Sequence, residues 1–134
     1  MANHAPVAYL DSSALIKLVI PEPESDALRV SLARWDRHAA SALVRTEVVR
    51  AVVRVDGAAR DPARLVVRAL TLIAVSDEIL DHAAELEPSG LRTLDSVHLA
   101  SALALGDVLG PFVTYDVRLQ DAARAAGLDV VAPG

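Results

Sequence analysis

The stretch Val7-Ala8-Tyr9-Leu10-Asp11-Ser12-Ser13-Ala14-Leu15-Ile16-Lys17-Leu18-Val19-Ile20-Pro21 decides the fold. Val7 to Leu10 is a short, uninterrupted apolar run that stops on a carboxylate, as a buried strand does. Ser12 to Ile20 continues in helix-compatible residues until Pro21, whose ring and missing N–H end a helix. Strand, turn and helix in this order open an α/β fold. They also place Asp11 where the strand hands over to the helix.

The same pattern recurs along the chain. Glu22 to Trp35 carries Leu28, Leu32 and Trp35 at helical spacing, and Ala42 to Val55 is a longer periodic helix broken by Gly57. Asp61 and Pro62 read as an N-cap and first-position proline for a helix through Ala69. Thr71 to Val75 is a β-prone run, Ser76 or Asp77 caps a helix to Leu86, and Pro88 to Gly90 is a turn. Thr93 caps a helix from Leu94 to Leu105, ended by Gly106. Pro111 leads into a strand from Phe112 to Tyr115, and Val117 to Ala126 is a helix stopped at Gly127. Leu128 to Val131 closes as a strand. Strands alternating with helices predict a mostly parallel sheet covered on both faces.

With 134 residues, 14.1 kDa and 53% hydrophobic residues, the expectation is one domain over residues 1–134. The mean hydropathy of +0.36 raises the question of a membrane. The apolar runs Leu18 to Ile20 and Leu72 to Val75 fall far short of the roughly 20 residues a spanning helix needs. Met1 to Pro6 lacks the basic and apolar regions of a signal peptide, so a cytoplasmic location is expected. The absence of cysteine excludes disulfides, thiol nucleophiles and cysteine-based zinc sites. His4, His38 and His82 show no zinc-ligand spacing, and neither a glycine-rich phosphate loop nor a Gly-x-Ser-x-Gly turn occurs.

The net charge of −5 argues at first against a nucleic-acid partner, but the charge is segregated. From Arg29 to Arg68 nine arginines face four acids, a local +5 that leaves −10 for the rest. Asp11 and Asp116 share one context, each ending a strand and starting a helix. In an open parallel sheet the strand ends lie on one edge, where ligands bind at a switch in strand order. Helix capping explains either residue equally well. Asp95 stands in a first helical turn, favoured there by the helix dipole, yet it shares a face with Leu99 and Ala102. Glu47 borders the apolar face of Val44, Val48, Ala51 and Val55, with an intrahelical ion pair to Arg50 as the plain alternative. Carboxylates gathered in one partly desolvated pocket repel unless a cation neutralises them, and an all-oxygen site suits Mg²⁺. Such an ion offsets charge on a phosphoryl oxygen, which makes phosphodiester hydrolysis the natural chemistry. Ser12, Ser13 and Thr114 are placed to hydrogen-bond the carboxylates, or to cap turns. His98, one turn after Asp95, reads as structural.

The segments Tyr9 to Leu18, Ser41 to Ala51, Leu91 to Ala100 and Phe112 to Leu119 carry these acids in order, and together they resemble the PIN-domain ribonucleases, specifically the VapC toxins of type II toxin–antitoxin systems. The resemblance implies a PIN-like three-layer α/β/α sandwich with a mostly parallel central sheet of about four to five strands. It implies that Asp11, Glu47, Asp95 and Asp116 bind Mg²⁺ or Mn²⁺ for RNA cleavage, with Ser12 and Thr114 supporting them. It also implies a homodimer and inhibition by a cognate VapB-type antitoxin. Arginines of the middle segment are expected to hold the RNA backbone. Two other readings stay open on the residues alone: a Mg²⁺-dependent phosphoryl-transfer domain of receiver or haloacid-dehalogenase type, and a non-catalytic protein-binding scaffold. The first lacks the second Asp such domains carry beside the first, since Asp11 is followed by Ser12-Ser13-Ala14.

Overall fold

The computed structural model describes residues 6–134; residues 1–5, part of the expected domain and of the stretch read as lacking a signal peptide, lie outside the described residues. The chain runs β1 (Val7–Leu10), α1 (Ser12–Lys17), α2 (Ser25–Leu32), β2 (Arg37–Ser41), α3 (Val44–Val55) and α4 (Arg60–Arg68). It continues with β3 (Thr71–Ile73), α5 (Asp77–Glu85), α6 (Thr93–Leu103), β4 (Leu109–Val113), α7 (Val117–Ala125) and β5 (Val130–Val131). The strands form one five-stranded sheet, all parallel, in the order β3-β2-β1-β4-β5. This is the expected α/β class.

β1 is the central strand and every one of its residues is buried. Its period-two alternation feeds two cores. Ala8 and Leu10 pack with Ala14, Leu15, Leu28, Val44, Val48 and Val52 on one face, while Tyr9 packs with Leu99, Phe112 and Leu119 on the other. Tyr9 and Phe112 stack with ring centroids 5.3 Å apart. α6 belongs to the second layer and is buried on every side from Ser96 to Ala102, so it has no solvent stripe.

Four elements differ from the sequence reading. β2, Arg37-His38-Ala39-Ala40-Ser41, carries no strand signal, because its residues have little β propensity. It exists because β1 and β3 pair with its two edges, Tyr9 opposite Ala39 and Ala40 opposite Leu72. α2 covers Ser25–Leu32 rather than Glu22 to Trp35; Ser25 Oγ donates to the Lys17 carbonyl at 2.7 Å and accepts from the Glu22 N–H at 2.9 Å, tying the preceding loop instead. Asp61 does not cap α4, since a short 3₁₀ turn over Gly57–Ala59, capped by Asp56, leads into the helix two residues earlier, with Ala59 at the cap and Arg60 first. Thr93 is the first residue of α6 and not its cap, a position held by Arg92.

Trp35 leaves α2 and lays its indole against Gly110 of β4. A Cβ added there would meet Trp35 Cζ3 at 2.7 Å and the Val7 carbonyl oxygen at 3.2 Å. Gly110→Ala therefore forces the indole or the central strand to move. Thermal unfolding is expected to show a loss of about 1–3 kcal/mol, the usual range for an overpacked site. An unchanged melting temperature would mean that Trp35 swings away freely.

Candidate active site

The strand order reverses between β1 and β4, and at that reversal the carboxyl ends of both strands present an acid. Asp11 and Asp116 are each also the N-cap of the following helix. Asp11 Oδ1 accepts from the Ala14 N–H at 3.1 Å, and Asp116 Oδ1 from the Leu119 N–H at 3.0 Å. Capping and a site role are compatible, because the cap occupies one oxygen of each carboxylate and leaves the other for a second partner.

Asp11 is only 3% exposed and meets neutral donors alone. The Ser13 hydroxyl donates to Oδ1 at 2.7 Å and the Thr114 hydroxyl to Oδ2 at 2.6 Å. Burial pushes the Asp11 carboxyl above the ordinary carboxylate range, against the opposing pull of Ser13, Thr114, the nearby His98 ring and the Ala14 amide. Thr114 Oγ1 also accepts from the Asp116 N–H at 3.1 Å, so one hydroxyl links the two strand-end acids. Ser13, and not Ser12, supports Asp11. The helix turns Ser13 toward β4, where its Oγ accepts from the Tyr115 N–H at 2.9 Å, and turns Ser12 into the neighbouring cleft.

Glu47, in the first turn of α3, pairs with His98 rather than with Arg50: its Oε1 lies 2.8 Å from His98 Nε2. Because a carboxylate only accepts, Nε2 is assigned the hydrogen. His98 Nδ1 stands 2.8 Å from the Tyr9 hydroxyl, which accepts the Ser41 N–H at 3.1 Å and so turns its own hydrogen to Nδ1. Tyr9 and His98 are both buried, and the chain from Ser41 through them fixes Glu47 from behind. His98 thus has a structural place, as its isolated position on the helix suggested, but its partner is a candidate site residue. The pairing joins residues 51 positions apart, which no local spacing reveals.

Asp95 completes the group from the first turn of α6. Arg92 reaches both it and Asp116: Nε to Asp95 Oδ2 at 3.0 Å, and Nη2 to Asp116 Oδ2 at 2.6 Å. Ser12, Glu47, Arg92, Thr93, Leu94 and Asp95 line a cleft of about 340 Å³. Thr114 ties Asp11 to Asp116, Arg92 ties Asp116 to Asp95, and the cleft joins Asp95 to Glu47. As placed, no three His, Asp or Glu side chains among the described residues stand close enough to hold one ion. By donor chemistry the set nevertheless fits a hard divalent cation: carboxylate oxygens, flanking hydroxyls, and a buried Asp11 held by neutral donors.

The other flank of α3 is basic. Arg45 and Glu47 are two residues apart, hence about 200° around the helix. Arg45, Thr46 and Val49 face Arg64, Val67 and Arg68 of α4 across a cleft of about 560 Å³. Arg64 pairs with Asp61 at 3.6 Å, whereas Arg45 and Arg68 make no ion pair among the described residues.

Comparison with known proteins identifies the family. The PIN domain family model matches residues 8–125. Ribonuclease VapC46 of Mycobacterium tuberculosis is 48% identical over 125 residues, covering 93% of this chain and 96% of that protein. Ribonuclease VapC47 of the same species is 36% identical over 131 residues, covering 94% and 96%. Among solved structures, VapC20 of M. tuberculosis, a toxin that cleaves the sarcin-ricin loop, superimposes with a TM-score of 0.75 at 16% identity, covering 94% of this chain and 99% of that one. A toxin–antitoxin complex from Klebsiella pneumoniae gives 0.73 at 24% identity, covering 95% and 98%. These two share the fold, and the two ribonucleases share nearly the full length. With its family model matched over residues 8–125 and its relatives matched over nearly their full length, the chain belongs to the PIN domain family and, within it, to the VapC ribonucleases.

Proposed function

We propose that the chain is a divalent-cation-dependent endoribonuclease toxin of a type II toxin–antitoxin system. Its proposed site is Asp11, Glu47, Asp95 and Asp116, with Ser13 and Thr114 holding Asp11 and His98 holding Glu47. The observation that carries this reading is Asp11, a buried carboxyl at the strand-order reversal surrounded by neutral donors, in a chain of the VapC ribonucleases. Asp11 and Asp95 would hold Mg²⁺ or Mn²⁺ most directly, with Asp116 and Glu47 completing the set. When bound, the ion supplies charge stabilisation at the scissile phosphate and lowers the pKa of water. Thr114 and Ser13 keep both Asp11 oxygens oriented, and His98 occupies Glu47 Oε1, leaving Oε2 to face substrate or water. The receiver-type phosphoryl-transfer reading finds no support in the family match. The antitoxin partner is supported by the toxin–antitoxin complexes among the structural neighbours, and the homodimer by the family resemblance. A single domain over residues 1–134 fits the one continuous sheet, and the cytoplasm is the location proposed for this member of the VapC ribonucleases. No helix of the described residues is long and apolar enough to cross a membrane.

RNA contact is assigned to the basic cleft of Arg45, Arg64 and Arg68, set just across α3 from the acids. With only four aromatic residues, Tyr9 and Phe112 fully buried among them, base stacking contributes little, and phosphate contacts dominate.

Asp11→Asn removes the buried charge with almost no change in volume, and RNA cleavage is expected to be lost; cleavage at the wild-type rate would defeat the proposal. The same variant tests the electrostatics. Because the folded Asp11 holds its proton more tightly than the unfolded chain does, the wild type loses stability as pH rises from the ordinary carboxylate range through the raised folded value. In the absence of divalent cations, Asp11→Asn is therefore expected to melt above the wild type near neutral pH. The gap should close as pH falls toward the ordinary carboxylate range, whereas a variant less stable at every pH would contradict the raised value.

Replacing Arg45, Arg64 and Arg68 together by Gln, in the non-cleaving Asp11→Asn background, is expected to weaken RNA binding alike for unrelated sequences. The dependence of log K on log salt should flatten by about 2, at roughly 0.7 for each single-strand phosphate that an arginine no longer neutralises. An unaltered slope would remove this cleft from the RNA interface.

A further inference from the structure

Arg92 bridges two of the proposed metal ligands, and nothing in the proposed chemistry uses it. Its side chain is 64% exposed, yet its guanidinium spans from Asp95 at 3.0 Å to Asp116 at 2.6 Å, joining the start of α6 to the start of α7. The other two acids are held differently. Asp11 receives hydroxyl and amide hydrogens, and Glu47 receives His98. Arg92 thus supplies the permanent positive charge on one half of the acidic group, and the oxygen it engages on Asp116, Oδ2, is the one that helix capping leaves free. A guanidinium stays protonated at any working pH, so it cannot yield its place by losing a proton. It must move.

We propose that Arg92 is a resident counter-ion of the metal-free site: a divalent cation taken up by Asp95 and Asp116 displaces its guanidinium, which then becomes available to a backbone phosphate of the RNA. The proposal rests on the reading of the four acids as a metal site. Two observations make the exchange easy. The side chain is mostly in solvent, where ion pairs are weak and readily broken, and it lines the same cleft as Ser12, Glu47 and Asp95, so a short swing keeps it beside the substrate. The planar fork that spans two carboxylates matches two oxygens of a phosphate equally well.

The test is Mn²⁺ binding by titration calorimetry to the full chain without RNA, for wild type, Arg92→Gln and Arg118→Gln. Arg118 lies two residues past Asp116 and makes no ion pair among the described residues, so it controls for simple loss of a positive charge. Arg92→Gln is expected to bind Mn²⁺ about three- to tenfold more tightly, about 0.7–1.4 kcal/mol at roughly 1.4 kcal/mol per tenfold, with Arg118→Gln near wild type. The same Arg92→Gln variant is expected to need more RNA for half-maximal cleavage despite its tighter metal. Equal tightening in both variants would reduce Arg92 to a general field effect and overturn the proposal. Unchanged or weaker Mn²⁺ binding in Arg92→Gln would overturn it too, making Arg92 a support of the metal site. If wild type and Arg92→Gln both fail to bind Mn²⁺ at millimolar concentration, the metal reading itself falls, and this proposal with it.

Discussion

The site is organised around a carboxyl that is removed from water and whose hydrogen-bond partners within the chain are all neutral. Asp11 ends the central strand of a sheet covered on both faces, so its side chain enters the low-dielectric space between the two helical layers. Neutral hydroxyls from Ser13 and Thr114 satisfy its oxygens but do not cancel its charge, and desolvation prevails. A buried acid of this kind is destabilising as an anion. It fixes the geometry around it all the same: Thr114 must sit at the end of β4 to reach it, and Thr114 in turn holds the backbone of Asp116. The reversal of strand order between β1 and β4 allows both acids to face the same space.

Around Asp11 the other three acids are held by two kinds of partner. Glu47 is fixed through a buried Tyr9–His98 pair that crosses from the central strand to α6, while Asp95 and Asp116 share an exposed arginine. The buried partner is held by core packing, and the exposed one is the group proposed to leave. The proposed uptake of a cation and a polyanionic substrate would benefit from this division, since the partner that defines direction is in the core and the one proposed to exchange is in solvent.

α3 separates the two signs of charge. Its first turn carries Glu47 toward the acidic cleft and Arg45 toward the basic one, so the net charge of −5 describes neither surface. The acids gather at the sheet edge and the arginines of the middle segment on the flank, where an RNA backbone crossing α3 would meet both.

Much of this was legible in the chain. β1 and the ends of β3 and β4 are apolar runs followed by caps, β5 is an apolar pair, and the four acids stand in order in motifs that resemble one family. Their positions at strand ends and first helical turns follow from local patterns, because strand runs and N-caps are local physics. β2 was not legible: Arg37 to Ser41 has no strand propensity and becomes a strand only because two neighbours offer hydrogen bonds. The choice of Ser13 over Ser12 depends on which hydroxyl the helix turns toward β4. The partners of Glu47 and Asp116 depend on contacts across 51 and 24 residues. The sequence by itself thus determined the class of fold and the family, and it picked out the candidate acids, since these are written in local runs and ordered motifs. Only the tertiary structure decided which groups neutralise, orient or block them, because those partners are brought together by sheet pairing and helix packing, which act between residues far apart in the chain.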